Sequence, residues 1–556
     1  MNKYVSFLKD GQNQRRYFKW LLKITSKSKR SLIGLFILNT CVAVASVSIS
    51  LVNKHIVDQA EDKVLFPVLV VIMVALQLFA IFGSLIESLL EATTTEKYAC
   101  QVRKNLFEQL LRLPWLSRTK YHSEELLSRI TSDVEQITSG VSKLIFSGGA
   151  LLIRLVLAFC LLWNYAPALA VALIFIAPVG AVAGKLISKG MNKIQKEYQQ
   201  TEADYRIFLQ ERLSKVELVQ IFGQEENSIN RLQEIQDKRL ELVKKKNKWK
   251  VLGTGVIGVT FTGTEMIAFV VGALMVSEGS ITFGVMTAFL SLVGQIQGPI
   301  YSLANQIPQI VGVLASAGRI MEVSELETET ETDSNEETSQ IENVSVGVKA
   351  NNVSIGYKEE SVLRDISFDI KPGQMVMFAG RSGIGKTTIL RAIMGFLTPY
   401  SGELFFYAES GEERKCGVGT RKMLSYVPQG NTLMFGTIAD NLRMGDSNAT
   451  DDDLREALRV ADALDFVESL PEGINTTIGE KATGLSEGQA QRISIARALL
   501  KKSSVLILDE ATSALDEKTE MKILDAISKS DHQTVIFVSH RKYLEKYADQ
   551  VVSLGV

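Results

Sequence analysis

Six apolar runs, at 32–52, 64–90, 140–163, 168–187, 251–276 and 281–303, constrain this 556-residue chain more than any other feature. Each approaches or exceeds the roughly 20 residues that a helix needs to cross a bilayer. Lipid offers the backbone no hydrogen-bond partners, so such runs are expected to be helices that satisfy their own N–H and C=O groups. The connections alternate in length. "NYAP" parts the third and fourth runs, "SEGS" the fifth and sixth, and "NKHIVDQAEDK" the first and second. Two long connections, 91–139 and 188–250, are rich in Lys and Arg, as is the N-terminus, where nine cations from Lys3 to Arg30 face the single acid Asp10. The positive-inside rule therefore predicts that both termini and both long connections are cytoplasmic. No cleavable signal peptide is expected, because the first apolar run is span-length and starts after thirty residues. "RRYFKWLLKI" before it reads either as an amphipathic helix at the interface or as a basic topology signal.

The long connections themselves carry helical periodicity. Val102, Leu106, Leu110 and Leu113 recur at helical spacing, and "RIFLQERLSKVELVQIFGQEE" repeats the pattern from Ile207 to Phe222. The membrane helices are thus expected to continue into the cytoplasm and to turn around near the middle of each connection. With 46% apolar residues the chain is rich for a soluble protein; its net charge of −1 carries no information about partners, and no nucleic-acid partner is expected. The four cysteines are far apart and form no CxxC, so neither a metal cage nor a disulfide framework is expected.

The composition changes after the sixth run. "LETETETDSNEETSQ" is acidic and nearly free of apolar residues, the pattern of a solvated linker. The expected organisation is a basic segment over 1–30, a helical membrane domain over 31–318, a linker over 319–345 and a soluble α/β domain over 346–556.

Within that last part, "MVMFAGRSGIGKTTILRAI" places an apolar strand, a glycine-rich loop and a helix in succession. This is the context a phosphate-binding loop requires. Gly380, Gly383 and Gly385 let backbone N–H groups of the loop (Arg381, Ser382 and Ile384 included) wrap phosphates; Lys386 reaches the β and γ phosphates, and Thr387, next to Thr388, offers its hydroxyl to Mg²⁺. In "SSVLILDEATSALD" a buried strand delivers Asp509 to the metal, with Glu510 one residue on, placed to polarise an attacking water. "TVIFVSHR" ends a further strand near His540. "GLSEGQAQRI" reads as a helix N-terminus, whose unpaired N–H groups and positive dipole end suit a phosphate, although the chain already has a phosphate loop a hundred residues upstream.

Taken in order, Tyr357, "GRSGIGKTT", "YVPQ", "LSEGQ", "LILDE", "SALD" and "VSH" resemble the ATPase domain of ABC transporters. The six runs, with "LFEQLLRLP" and "ELLSRITSDVEQI" in the first long connection, look like the exporter branch, in which one polypeptide fuses a membrane half to an ATPase half. The resemblance implies roles for particular residues. Tyr357 stacks on adenine, Gln429 senses the metal and the attacking water, Glu510 is the catalytic base and His540 contacts the γ-phosphate. Ser513 to Asp516 connect two ATP sites. Leu485, Ser486, Glu487, Gly488 and Gln489 cap the ATP held by a partner's phosphate loop, so the implied working unit is a dimer with two ATP molecules between its ATPase domains. Glu487 stands where glycine is commoner in the family; with Lys386, Asp509, Glu510 and His540 all present, an identical partner with two working sites is favoured over a heterodimer.

The expected activity is ATP-driven export by alternating access, in the bacterial cytoplasmic membrane, of a peptide or small natural product. A multidrug exporter and a lipid flippase are the alternatives, with an ATP-gated channel or sensor behind them. Glu265 in the fifth run and Arg154 in the third are intramembrane charges that either pair with each other or meet substrate. Ser291, Gln295, Gln297, Tyr301, Asn305 and Gln306 form a polar series expected to line a water-filled cavity.

Overall fold

The computed structural model describes residues 16–17, 19–21, 29–60, 64–165, 167–329, 345–357, 360–381, 383–479, 484–529 and 533–554. The basic segment over 1–30, the middle of the linker and Ser382 lie largely or wholly outside them. The chain divides into two compact units. One comprises Met1–Phe107 with Glu124–Ser324, the other Glu108–Ser123 with Glu325–Val556.

The first unit is helical. Its long elements are α1 (Lys29–Asp58), α2 (Leu65–Leu111), α3 (Val134–Ser142), α4 (Gly149–Tyr165), α5 (Pro167–Ser214), α6 (Glu225–Ser277) and α7 (Phe283–Ser324). Among the described residues four helices are long and apolar enough to cross a membrane: Ile33–Asp58, Leu65–Leu111, Glu225–Ser277 and Phe283–Ile300. Gly149–Tyr165 is a shorter apolar helix, and the expected fourth span falls on α5, most of whose side chains from 168 to 189 lie outside the described residues. The 53 residues of α6 reach about 80 Å at 1.5 Å per residue, well beyond a hydrocarbon core of about 30 Å. Helical periodicity in the long connections is thus explained: the spans run on past the bilayer. α2 turns at Pro114 into the short helix Trp115–Arg118, and α5 turns through Val216–Ile221, where Gly223 takes φ +58°. Both reversals fall where the sequence pattern places them.

Three expectations are corrected. The third run is not one regular helix, because Lys143–Gly148 forms a π-helical stretch between α3 and α4. α7 continues to Ser324, six residues past the expected end of the membrane domain, and beyond it Glu325 and Glu327 are exposed while Glu329 is half-buried and paired with Arg421 at 2.6 and 2.9 Å. Three residues of the polar series on α7 meet neighbouring helices. Gln295 donates to Ser46 O (3.1 Å) and Ser50 Oγ (2.6 Å), Ser291 shares a hydrogen bond with Ser50 (2.8 Å), and buried Gln297 lies 3.4 Å from Phe261 O. These groups join α7 to α1 and α6; the side chains of Tyr301 and Asn305 lie outside the described residues.

In the second unit, β1 (Val346–Tyr357), β2 (Glu360–Ile370), β4 (Ser401–Ala408) and β5 (Glu413–Lys415) form an antiparallel sheet in the order β2-β1-β4-β5. β3 (Met375–Ala379), β6 (Leu424–Val427), β9 (Val505–Asp509), β10 (Thr534–Val538) and β11 (Gln550–Ser553) form a parallel sheet in the order β11-β3-β10-β9-β6, while β7 (Gly436–Thr437) pairs with β8 (Thr477–Ile478). The central parallel strands are buried on both faces, which is why they read as unbroken apolar runs. Alternation still sorts their side chains. Met375, Met377, Leu506, Leu508, Val535 and Phe537 enter one core. Val376, Phe378, Val505, Ile507, Ile536 and Val538 enter the other, together with the antiparallel sheet and α8 (Lys386–Ile393).

Candidate active site

Parallel register brings the sequence motifs to one edge. Val538 aligns with Asp509 on β9 and with Phe378 on β3, so the ends of all three strands lie side by side. The phosphate loop, the acidic pair and His540 follow from those ends, the position where open α/β sheets bind ligands. Gly385, at φ +112°, is the N-cap of α8, and a Cβ there would meet Leu363 and Val362 at 2.9 and 3.0 Å. Only glycine turns the loop onto its helix at that point.

Lys386 is buried, and its ammonium donates to Gly380 O (2.8 Å) and Arg381 O (3.2 Å) and sits 3.4 Å from His540 Nε2. Burial lowers its pKa, partly offset by the charges of Glu510 and Asp509. No carboxylate forms an ion pair with it among the described residues, so a buried cation is held by carbonyls of the glycine-rich loop without a counter-ion. That arrangement fits a phosphate anion. Asp509 is also buried; burial raises its pKa, while the Thr387 and Tyr426 hydroxyls and the charge of Arg391 oppose the rise. A desolvated carboxylate beside the Thr387 hydroxyl fits a divalent cation, which would be held by Asp509 and Thr387 and would supply charge neutralisation and Lewis acidity at a phosphoryl group.

Glu510 is a non-glycine residue at φ +50°. Left-handed backbone at such a residue costs about 1–2 kcal/mol and is typical of functional sites. It directly follows Asp509, the last residue of β9. Gln429 Nε2 donates to one Glu510 oxygen (2.6 Å) and His540 Nε2 to the other (2.8 Å). The structure thus brings Lys386, Thr387, Gln429, Asp509, Glu510 and His540 into one constellation. Tyr426 belongs to it too. Sequence reasoning quoted "YVPQ" but gave this tyrosine no role; its signal was a polar end on a strand that neighbours the one carrying Asp509.

Tyr357 accepts a hydrogen bond from Arg391 Nη1 (2.6 Å) and lies 3.2 Å from Thr388 Oγ1. The second phosphate-type tip is α9 (Glu487–Leu500), with Ser486 as N-cap in a reciprocal box with Gln489: Gln489 N donates to Ser486 Oγ (3.3 Å) and Ser486 N to Gln489 Oε1 (2.9 Å). A Cβ on Gly488 would stand 3.1 Å from Ala514 O, so glycine lets this helix approach the following loop. Glu487 is exposed in the first turn, where the helix dipole favours a carboxylate. Leu485 packs on the helical core. Among the described residues no hydrogen bond or ion pair joins residues 485–489 to the phosphate loop. Asp516 is occupied as the N-cap of α10 (Glu517–Ser528), accepting from Thr519 N at 3.0 Å.

In the helical unit, Arg154 and Glu265 do not pair with each other. Arg154 Nε is buried without a hydrogen-bond partner, and Glu265 is exposed, with no ion pair among the described residues.

Comparison with known proteins places both halves. The model of the ABC transporter transmembrane region matches residues 32–300, and the ABC transporter model matches 363–513. An ATP-dependent lipid A-core flippase of Pseudomonas fluorescens is 34% identical over 464 residues, 81% of this chain and 75% of that protein. A Staphylococcus aureus ATP-binding/permease protein that carries a multidrug-export name is 28% identical over 507 residues, 90% of this chain and 87% of its own. The structure of a bacterial Atm1-family ABC exporter with ATP bound is similar in fold, with a TM-score of 0.78 at 22% identity, covering 95% of this chain and 93% of the other.

Proposed function

Because this chain belongs to the ABC transporters, as an ATP-hydrolysing exporter with membrane and ATPase halves fused, we propose that it pumps an amphipathic peptide or small natural product out of the cytoplasm by alternating access. The observation that carries the cycle is the Gln429–Glu510–His540 constellation beside a buried Lys386 that has no carboxylate ion pair among the described residues. In this reading Glu510 takes the proton of the attacking water, Gln429 and His540 hold its carboxylate in place, and Lys386 stabilises charge on the phosphates. Asp509 and Thr387 hold Mg²⁺. Tyr357 stacks on adenine.

Two identical chains form the working unit. Ser486 and Gly488, with no hydrogen bond or ion pair to their own phosphate loop among the described residues, cap the partner's ATP. Leu218, Ile221 and Phe222 at the second hairpin tip support the same reading: they are more than half exposed, and in water an apolar tip of this kind marks a docking element. Loss of the γ-phosphate releases the ATPase domains, and the hairpins carry that separation to the spans. Both termini are cytoplasmic.

Glu265 bears on cargo. A carboxylate exposed at span depth and unpaired is expensive in lipid and favours a water-filled path. Gly294 and Gly298 leave room beside it: a Cβ on Gly294 would lie 4.0 Å from Glu265 Oε1, and one on Gly298 would meet nothing within 4 Å. A cargo with a positive charge satisfies that carboxylate. The names of the relatives favour a second reading, multidrug export or lipid flipping. ATP turnover in lipid nanodiscs against cationic peptides, cationic drugs and lipids separates them. Selective stimulation by one peptide class, lost in Glu265→Gln, supports the first. Equal stimulation by unrelated amphiphiles, or by lipids alone, contradicts it.

A further inference from the structure

The tip of the first hairpin lies in the same compact unit as the nucleotide residues, and one of its side chains meets the Tyr357 ring. Trp115 stands 6.1 Å from Tyr357, centroid to centroid, with ring planes inclined at 48°. The Arg391 guanidinium lies over the face of Trp115 at 4.5 Å and at the same time donates from Nη1 to the Tyr357 hydroxyl at 2.6 Å. Arg391 occupies the last turn of α8, whose first residue is Lys386. A second clasp holds the hairpin to the far end of that helix. Glu329 N donates to Arg112 O (2.8 Å), and the Glu329 carboxylate grips Arg421, which donates from Nε to Met394 O (3.1 Å) and from Nη2 to Gly395 O (2.8 Å).

We propose that Trp115 is a positioning residue of the nucleotide site: the indole seats Arg391, Arg391 fixes the phenol of Tyr357, and the place of the hairpin thereby sets how well the adenine base is held. The inference rests on reading Tyr357 as the adenine-stacking ring. An indole face under a guanidinium contributes both dispersion and cation–π attraction, and the planar fork of arginine can stack and donate at once, which lysine cannot. Coupling of this kind is reciprocal. If hairpin position changes base affinity, base binding biases hairpin position by the same factor.

The test uses the full-length protein in nanodiscs and compares KM for ATP, kcat and inhibition by inorganic triphosphate, which has no base. Trp115→Leu keeps an apolar side chain in the contact and removes the π face. Its KM for ATP is expected to rise about three- to tenfold, the range a cation–π contact commands, with kcat and triphosphate inhibition unchanged. Trp115→Phe restores the parent KM. Arg391→Lys reproduces the Trp115→Leu result without touching the hairpin, so a poorly folding Trp115 variant leaves the inference open to refutation. A parent KM in Trp115→Leu and Arg391→Lys, or equal weakening of triphosphate, overturns it. Tyr357→Ala separates the two readings: a parent KM there removes the adenine role itself, whereas a raised KM in Tyr357→Ala alone removes only the role of Trp115.

Discussion

At the scale of single residues, the proposed chemistry is concentrated in Glu510, a carboxylate at φ +50° that directly follows a buried strand. Glu510→Gln is expected to lower ATP turnover at least about 100-fold, the weight of a general base, while ATP still binds; turnover at the parent rate contradicts the role. Tyr426→Phe removes a hydroxyl from Asp509 and is expected to raise the Mg²⁺ concentration for half-maximal turnover about tenfold, as loss of an outer-shell partner does. Asp509 also marks the pH dependence. Its native pKa is raised by burial, so the native state holds the proton more tightly than the unfolded chain, and without metal this group removes stability as pH climbs from the ordinary carboxylate range through the raised value. Thermal unfolding of metal-free protein between pH 4 and 7 should show that slope, and Asp509→Asn should lack it. An unchanged slope in the variant contradicts the assignment. Glycines, Lys386 and the acidic pair were legible from the sequence because their spacing is local. Tyr426, Arg391 and Trp115 were not, since each acquires its role from a partner far away in the chain.

At the scale of elements, the sequence placed four of the six expected spans, the long helices and both hairpin turns, because 3.6-residue periodicity survives wherever one face is packed. It misjudged what the polar residues of the sixth span do. Ser291, Gln295 and Gln297 alternate with apolar side chains either way, and only the neighbouring α1 and α6 show that they serve helix contact. A buried network escaped notice for the same reason. Asp133, from the "SDVEQI" stretch, receives Arg319 Nε at 2.8 Å and Ser316 Oγ at 2.9 Å, while Arg129 donates to Arg319 O at 3.0 Å. Asp133→Ala removes the buried carboxylate that holds the partly exposed Arg319 guanidinium, and denaturation should show a loss of about 1.5 kcal/mol, the weight of a hydrogen bond to a charged group; Asp133→Leu with Arg319→Met should recover most of it. A fully stable single variant contradicts the network's role in tying α7 to the π-helical turn Arg129–Asp133 that precedes α3. At the second hairpin, Phe222→Asp is expected to leave ATP binding intact and to abolish stimulation of turnover by cargo, because the apolar tip loses its docking surface. Stimulation at the parent level contradicts that role.

At the scale of the whole molecule, the account turns on one claim: the Ser486 tip of one chain acts on the nucleotide held by its partner. The sequence raised this possibility through two tips of phosphate-binding type in one domain, and the structure adds that the second is a self-capped helix end without a hydrogen bond or ion pair to the first among the described residues. Mixing two inactive chains tests the claim directly. Glu510→Gln removes the base and Ser486→Arg blocks the cap, so each variant alone should be inactive as a homodimer. In mixed dimers reconstituted in nanodiscs, one site combines both defects and the other has neither. Recovery of ATP turnover on mixing is the predicted result, whereas mixtures as inactive as the separate variants would contradict a site shared between chains.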